Sequence, residues 1–117
     1  MRRLFLLSLL VLFLLQGTLF AQNSLERLEA SPRHHEWVKI NTNTNEINSF
    51  LVYPEVSEKV PVVVLIHENR GLNDWARSMA DQIAEMGYIA IAPDFLSGTA
   101  PNGGGTNDYQ NSDDART

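Results

Sequence analysis

The stretch VVVLIHENRGLNDW, residues 62–75, decides the fold, because five unbroken apolar residues run directly into a polar cluster. Residues 62–66 are mostly β-branched, a pattern typical of a strand that is covered on both faces of a sheet. Asn73 or Asp74 then has the side chain needed to cap a helix. The stretch therefore predicts a central strand, a polar loop and a helix, in that order.

The predicted helix carries apolar residues on one stripe, and Gly87 is placed to end it. The stripe, which we expect to pack in the core, consists of Trp75, Ala76, Met79, Ala80, Ile83 and Ala84. YIAIAP, residues 88–93, predicts a second buried strand, and Asp94 after it is expected to form a turn by bonding backbone amides. Strand, helix and strand form a βαβ unit, whose two strands are parallel by default.

Two segments of alternating polarity precede this unit, EWVKIN at residues 36–41 and INSFLVYP at residues 47–54. Such alternation predicts strands and suits an antiparallel pair at a sheet edge. We therefore predict an α/β fold with a mostly parallel sheet and antiparallel edge strands at its start. A single crossover helix leaves one face of this sheet uncovered, which is typical of the first part of a larger α/β domain.

The first 21 residues have the pattern of a cleavable signal peptide. Arg2 and Arg3 precede an apolar run at residues 4–15, which is shorter than the ~20 residues that a membrane span requires. Cleavage is predicted after Ala21, so we expect an exported protein, periplasmic or extracellular. A retained N-terminal helix that anchors the protein in the membrane is the alternative.

The remainder of the chain divides into a polar linker or N-terminal arm at residues 22–33 and an incomplete α/β domain at residues 34–117. Cysteine is absent from the sequence, so disulfides and lipidation are both excluded. Without the leader the chain has seven basic and fourteen acidic residues, a balance that argues against nucleic acid or an anionic membrane as partner. The oligomeric state is left open.

Two features suggest a bound metal or cofactor at first sight. His34 and His35 lie beside Glu36, but adjacent residues on a strand point to opposite faces and do not easily reach one ion. The glycine run at residues 103–105 lacks the lysine of a phosphate-binding loop. We therefore expect neither a metal nor a cofactor.

The polar cluster at residues 67–73 is the candidate functional site. In open α/β sheets, ligands bind beyond the carboxyl ends of the strands, where loops lead into helix N-termini. Backbone N–H groups in such a loop can stabilise a developing negative charge, as an oxyanion hole does. Gly71 permits the tight backbone path that this loop needs.

HENRGLNDWARSMADQIAEMGYIAIAPDFLSG, residues 67–98, resembles the corresponding segment of the dienelactone hydrolase family, a branch of the α/β-hydrolases. RHHEWVKI at residues 33–40 and SGTAPNGGGTND at residues 97–108 are also similar to that family. The resemblance implies an α/β-hydrolase fold and a Cys-Asp-His triad, or its serine version. It also implies a small-molecule ester or lactone as substrate, cleaved through an acyl-enzyme.

The resemblance assigns roles to three residues of the loop. Glu68 matches the family glutamate that lies beside the nucleophile and influences its ionisation. Asn69 matches the position whose backbone N–H helps to bind the oxyanion. Arg70 occupies a substrate-facing place, where its charge suits a substrate that bears a carboxylate.

The sequence departs from the family pattern at the nucleophile. There is no cysteine and no Gly-x-Ser-x-Gly elbow, and Ser97 in FLSGT lacks the first glycine. Chain order in this fold is nucleophile, acid and histidine, so all three triad members are expected after Thr117. We expect the 117 residues by themselves to be inactive, and a non-catalytic binding module built on the βαβ unit is the alternative.

The residues themselves leave two questions open. His67 is either a structural hydrogen-bonding residue or a catalytic one. Glu68 either takes the active-site role, caps the turn that follows or pairs with Arg70.

Overall fold

A computed structural model of the chain describes residues 23–111 together with residues 113 and 114, so the predicted leader at residues 1–21 lies outside the described residues. The described helices and strands are α1 (Ser24–Glu29), β1 (His34–Asn41), β2 (Glu46–Tyr53), β3 (Val62–Val64), α2 (Asp74–Glu85) and β4 (Ile89–Pro93). Two 3₁₀ turns follow, at Pro101–Gly103 and Thr106–Asp108. Neither described helix has the length and apolarity to cross a bilayer. The fold is α/β, as predicted.

The strands form one mixed sheet in the order β1-β2-β4-β3. β1 pairs antiparallel with β2 through eight residue pairs, from His34 with Tyr53 to Asn41 with Glu46. β2 pairs antiparallel with β4, and β4 pairs parallel with β3. The antiparallel edge pair and the parallel βαβ unit are therefore both confirmed.

β3 was predicted to be a central strand covered on both faces. Within the described residues it pairs with β4 alone, so it lies at the edge of this part of the sheet. Val62 is 58% exposed and Val64 is 57% exposed, because α2 packs on the opposite face of the sheet. A run of β-branched residues indicates a strand but does not specify its neighbours. The expectation of one uncovered sheet face is confirmed for the described residues.

The core lies between α2 and the sheet and is built largely from small side chains. Ala76, Ala80 and Ala84 of α2 are buried against the residues of β2 and β4 that face the helix. Those strand residues are Phe50, Val52, Ala90 and Ala92. Methyl side chains on both surfaces allow the helix backbone to lie close to the sheet. This close packing positions the start of α2, and with it the end of the preceding loop.

Trp75 does not pack in this core as predicted, since it is 57% exposed. Each residue advances about 100° around an α-helix, so the stripe centred on the three buried alanines leaves Trp75 on the flank of the first turn. Met79 is half-buried, and Ile83 packs partly against the core. The predicted stripe was thus too wide at its N-terminal end.

The segment 22–33, interpreted from sequence as a polar linker, contains helix α1. The Asn23 side chain caps it by accepting the N–H of Leu25 at 3.1 Å. Leu28 is buried in the core, and Arg27 forms an ion pair with Glu85 of α2 at 2.6 Å. With six residues and one buried apolar side chain, the helix is too short to show a periodic pattern in sequence.

A buried carboxylate connects α2 to the segment before the sheet. Asp81 is fully buried and accepts hydrogen bonds from the Ser31 hydroxyl at 2.5 Å and from Arg33 at 2.9 and 2.6 Å. The Nε2 atom of His35 lies 2.8 Å from the same carboxylate. Burial by itself would raise the pKa of Asp81, but the hydrogen bonds from Arg33, Ser31 and His35 outweigh it and lower the pKa to about 2.

We predict that Asp81→Asn destabilises the protein at neutral pH by about 2 kcal/mol or more, because the shift from 3.8 to about 2 corresponds to that free energy. The pKa is lower in the folded state, so the contribution is complete above about pH 4 and is lost as the pH falls towards 2. Urea unfolding at pH 7 and at several values below 4 measures the difference between wild type and variant.

Glu85→Gln is the matched control, since it removes an exposed ion pair to the same N-terminal segment. Exposed pairs contribute about 0–1 kcal/mol. Equal unfolding midpoints for Asp81→Asn and Glu85→Gln at pH 7 would contradict a structural role for the buried carboxylate.

Candidate functional site

The loop at residues 67–73 joins β3 to α2 beyond the carboxyl ends of the parallel strands, as predicted. Within it the N–H of Gly71 donates to the carbonyl of Glu68 at 3.1 Å, which closes a tight turn. Asn69 and Arg70 lie at the exposed tip of this turn. Gly71 has a φ of 76°, in the left-handed region that favours glycine.

The backbone N–H groups of Asn69 and Arg70 lie at the tip of the turn. Among the described residues, no acceptor is hydrogen-bonded to either of them. A backbone donor that is exposed and unpaired is available to water or to a ligand oxygen. The tip of the turn can therefore bind a negatively charged oxygen, which is what an oxyanion donor must do.

The turn brings Glu68, Asn69 and Arg70 together in space, but their surroundings differ. Both charged side chains are exposed, and within the described part of the chain no ion pair joins Glu68 to Arg70. Arg70 lines an open cleft of about 480 Å³, which Glu68 and Asn69 do not line. Trp75 and Tyr109 also line this cleft.

His67 is held by hydrogen bonds at both ring nitrogens. The N–H of Phe95 donates to Nε2 at 3.0 Å, so the ring proton lies on Nδ1, which is 2.8 Å from the carbonyl oxygen of Glu68. The side chain is 6% exposed. Of the two roles that the sequence left open, this geometry supports the structural one, because both nitrogens serve to fix the loop.

Asp94 forms the turn after β4 that the sequence predicted. Its carboxylate accepts the backbone N–H of Leu96 at 3.1 Å and that of Thr106 at 2.8 Å. It also accepts the Thr106 hydroxyl at 2.7 Å. That hydroxyl oxygen in turn accepts the N–H of Leu72 at 2.9 Å. Three loops are thus joined through Asp94 and Thr106.

Two glycines permit this close approach of the loops. A Cβ atom on Gly71 would lie 2.2 Å from Oγ1 of Thr106, and one on Gly105 would lie 2.5 Å from Oδ2 of Asp94. The need for a glycine at position 71 is predictable from the sequence, whereas the role of Thr106 is not. No short-range pattern marks a threonine whose partner lies 34 positions away.

Comparison with sequence families identifies the segment that carries these loops. The profile of the Dienelactone hydrolase family matches residues 47–117. A protein of Escherichia coli (strain K12) named "Putative hydrolase fragment YghX" is 51% identical over 53 residues, which cover 44% of this chain and 45% of that protein. The "Putative carboxymethylenebutenolidase" of Synechocystis sp. is 34% identical over 64 residues, 55% of this chain and 26% of that protein.

Comparison with solved structures gives the same fold. The crystal structure of a protein from Klebsiella pneumoniae subsp. pneumoniae MGH 78578, titled "Putative Dienelactone Hydrolase", matches with a TM-score of 0.55 and 22% sequence identity. The match covers 68% of this chain and 32% of that one. The chain therefore has the α/β-hydrolase type of sheet and spans less than half the length of the relatives it matches.

Gly71→Ala is predicted to destabilise the protein more than Gly87→Ala. Both glycines have a positive φ, 76° and 95°, so alanine costs about 1–2 kcal/mol at either site. At Gly71 the new methyl group also meets Thr106, and such overpacking adds about 1–3 kcal/mol. At Gly87 nothing lies within 4 Å of the added atom. Thermal and urea unfolding measure both variants, and equal losses would contradict the close contact between the loops.

Proposed function

Because the chain belongs to the dienelactone hydrolase family, we propose that its loop at residues 67–73 is the oxyanion-binding part of an ester or lactone hydrolase. The observation that carries the proposal is that the N–H of Asn69, at the exposed tip of the turn, has no hydrogen-bonded acceptor among the described residues. Attack on an ester carbonyl turns the carbonyl oxygen into an oxyanion. The N–H of Asn69 donates a hydrogen bond to that oxygen and stabilises the tetrahedral intermediate.

The nucleophile comes from outside these residues, since the 117 residues contain neither a cysteine nor a Gly-x-Ser-x-Gly elbow. In the proposed reaction a Cys or Ser attacks the carbonyl carbon and the alcohol leaves, which gives an acyl-enzyme. Water then hydrolyses the acyl-enzyme and regenerates the nucleophile. The matched segment makes up only 26% of the Synechocystis relative, which leaves room in a protein of that length for a nucleophile, an acid and a histidine.

Glu68 and Arg70 take the two remaining roles in the loop. The exposed Glu68 carboxylate, unpaired among the described side chains, lies beside the nucleophile and influences its ionisation. The Arg70 guanidinium faces the cleft and pairs with a carboxylate on the substrate. The apolar run behind Arg2 and Arg3 supports export through a cleavable leader.

The decisive experiment removes the N–H of residue 69 without removing the turn. Asn69→Pro deletes the donor at the second position of a turn, where proline is favoured, and Asn69→Ala keeps the donor and deletes the side chain. With protein purified from the exported fraction of its source organism and checked by intact mass, we expect Asn69→Pro to lower kcat for ester hydrolysis by about 10²–10³-fold. Asn69→Ala should remain within a few-fold of wild type.

Equal activity of the two variants would exclude the backbone of residue 69 as an oxyanion donor. A wild-type protein that binds esters and does not hydrolyse them would instead favour the binding-module alternative.

Arg70 is tested with a matched pair of substrates, one ester with a free carboxylate and one neutral ester of the same size. Arg70→Gln should raise KM for the carboxylate ester by about tenfold, because a charge-assisted hydrogen bond contributes about 1.5–3 kcal/mol. KM for the neutral ester should stay constant. Lys59→Gln removes the same charge from an exposed loop position and is the control for net charge. An equal change for both esters would contradict the assignment.

A further inference from the structure

Thr106, directly after the glycine run at residues 103–105, joins this segment to the loop at 67–73. Its hydroxyl accepts the N–H of Leu72 and donates to Oδ1 of Asp94, at 2.9 and 2.7 Å. Its own N–H donates to Oδ2 of Asp94 at 2.8 Å. Thr106 is therefore bound to one carboxylate twice, once through its side chain and once through its backbone.

We propose that Thr106 is a positioning residue for the oxyanion loop, an inference that rests on the proposed function. Both ends of the turn are anchored to consecutive residues after β4. At the first end, His67 connects the carbonyl of Glu68 to the N–H of Phe95. At the second end, Thr106 connects the N–H of Leu72 to Asp94. The donor at residue 69 lies between the two anchors.

Because Thr106 contacts Gly71, the position of the glycine-rich segment constrains that of the loop at 67–73. The Oγ1 and Cγ2 atoms of Thr106 lie so near Gly71 that an added Cβ atom would be 2.2 and 2.8 Å from them. Gly71 donates the hydrogen bond that closes the turn at Glu68. A shift of Thr106 therefore moves the closing residue of the turn, and with it the direction of the N–H at its tip.

The hydroxyl group is the part of Thr106 that this role requires. It supplies an acceptor and a donor at once, which valine, of the same shape, does not. Leu72 is 1% exposed, so its N–H has no access to water when the acceptor is removed. The loop must then rearrange to satisfy that N–H. Serine retains both hydrogen bonds and loses the methyl group.

The experiment compares Thr106→Val with Thr106→Ser in the full protein as its source organism makes it. Thr99→Val is the control, because Thr99 belongs to the same segment but its hydroxyl bonds Leu96 and Tyr109. The first measurement is amide hydrogen exchange at Leu72, which requires no catalysis. The second is kcat and KM for ester hydrolysis.

For Thr106→Val we expect exchange at Leu72 to accelerate by about tenfold or more. We also expect kcat to fall by about tenfold with KM nearly unchanged, since a displaced donor costs stabilisation of the transition state more than substrate binding. Thr106→Ser should restore both values to near wild type, and Thr99→Val should change neither.

Unchanged exchange at Leu72 in Thr106→Val would overturn the inference. Accelerated exchange with unchanged kcat in an active enzyme would overturn the positioning role and leave the proposed function standing. If the wild type is inactive on esters and exchange at Leu72 still depends on the Thr106 hydroxyl, the proposed function falls and the structural anchor is supported.

Discussion

The arrangement of the loops above the sheet depends on one carboxylate, that of Asp94 at the end of β4. It is 5% exposed and accepts hydrogen bonds from two backbone amides and one hydroxyl. Nε2 of His67 also lies 3.8 Å from Oδ1 of this carboxylate. β4 is hydrogen-bonded on both sides, to β2 and β3, so the sheet fixes the position of Asp94, which directly follows β4. The loops therefore take their positions from a strand that is paired on both sides.

Asp81 is a second buried carboxylate that holds two segments together, but its donors are side chains only. It joins α2 to the segment before β1 through a guanidinium, a hydroxyl and an imidazole. Asp81 fixes the helix against the N-terminal segment, whereas Asp94 fixes the loops against each other. Both have short side chains, so little conformational freedom is lost when each becomes an acceptor for several donors. The candidate site lies at the N-terminal end of α2, beside Leu72, which the Asp94 arrangement holds through Thr106, whereas Asp81 lies in the C-terminal half of the helix.

The sequence predicted the elements whose signals are local. The alternation in β1 and β2, the cap at Asn73 and the glycine after α2 are short-range patterns, and the structure confirms the elements they predict. The neighbours of β3 could not be predicted, because a run of valines indicates a buried strand and does not specify what it pairs with. The exposure of Trp75 could not be predicted from its hydrophobicity either, because that does not specify which side of the first helical turn faces the sheet. Thr106 has its partners far away along the chain and at no fixed spacing. The roles of Glu68, Asn69 and Arg70 rest on family resemblance and remain predictions.

The alanines of α2 that pack against the sheet restrict which substitutions this sequence can accept. At Ala76, Ala80 and Ala84 a larger side chain would push the helix away from β2 and β4. A larger residue at one of these positions would therefore also displace the start of the helix at Asn73, next to the loop. Exposed positions, such as Glu85 at the end of α2 and Met86 directly after it, are under no such constraint. Substitutions along α2 should therefore be tolerated least where the helix packs on the sheet through its smallest side chains.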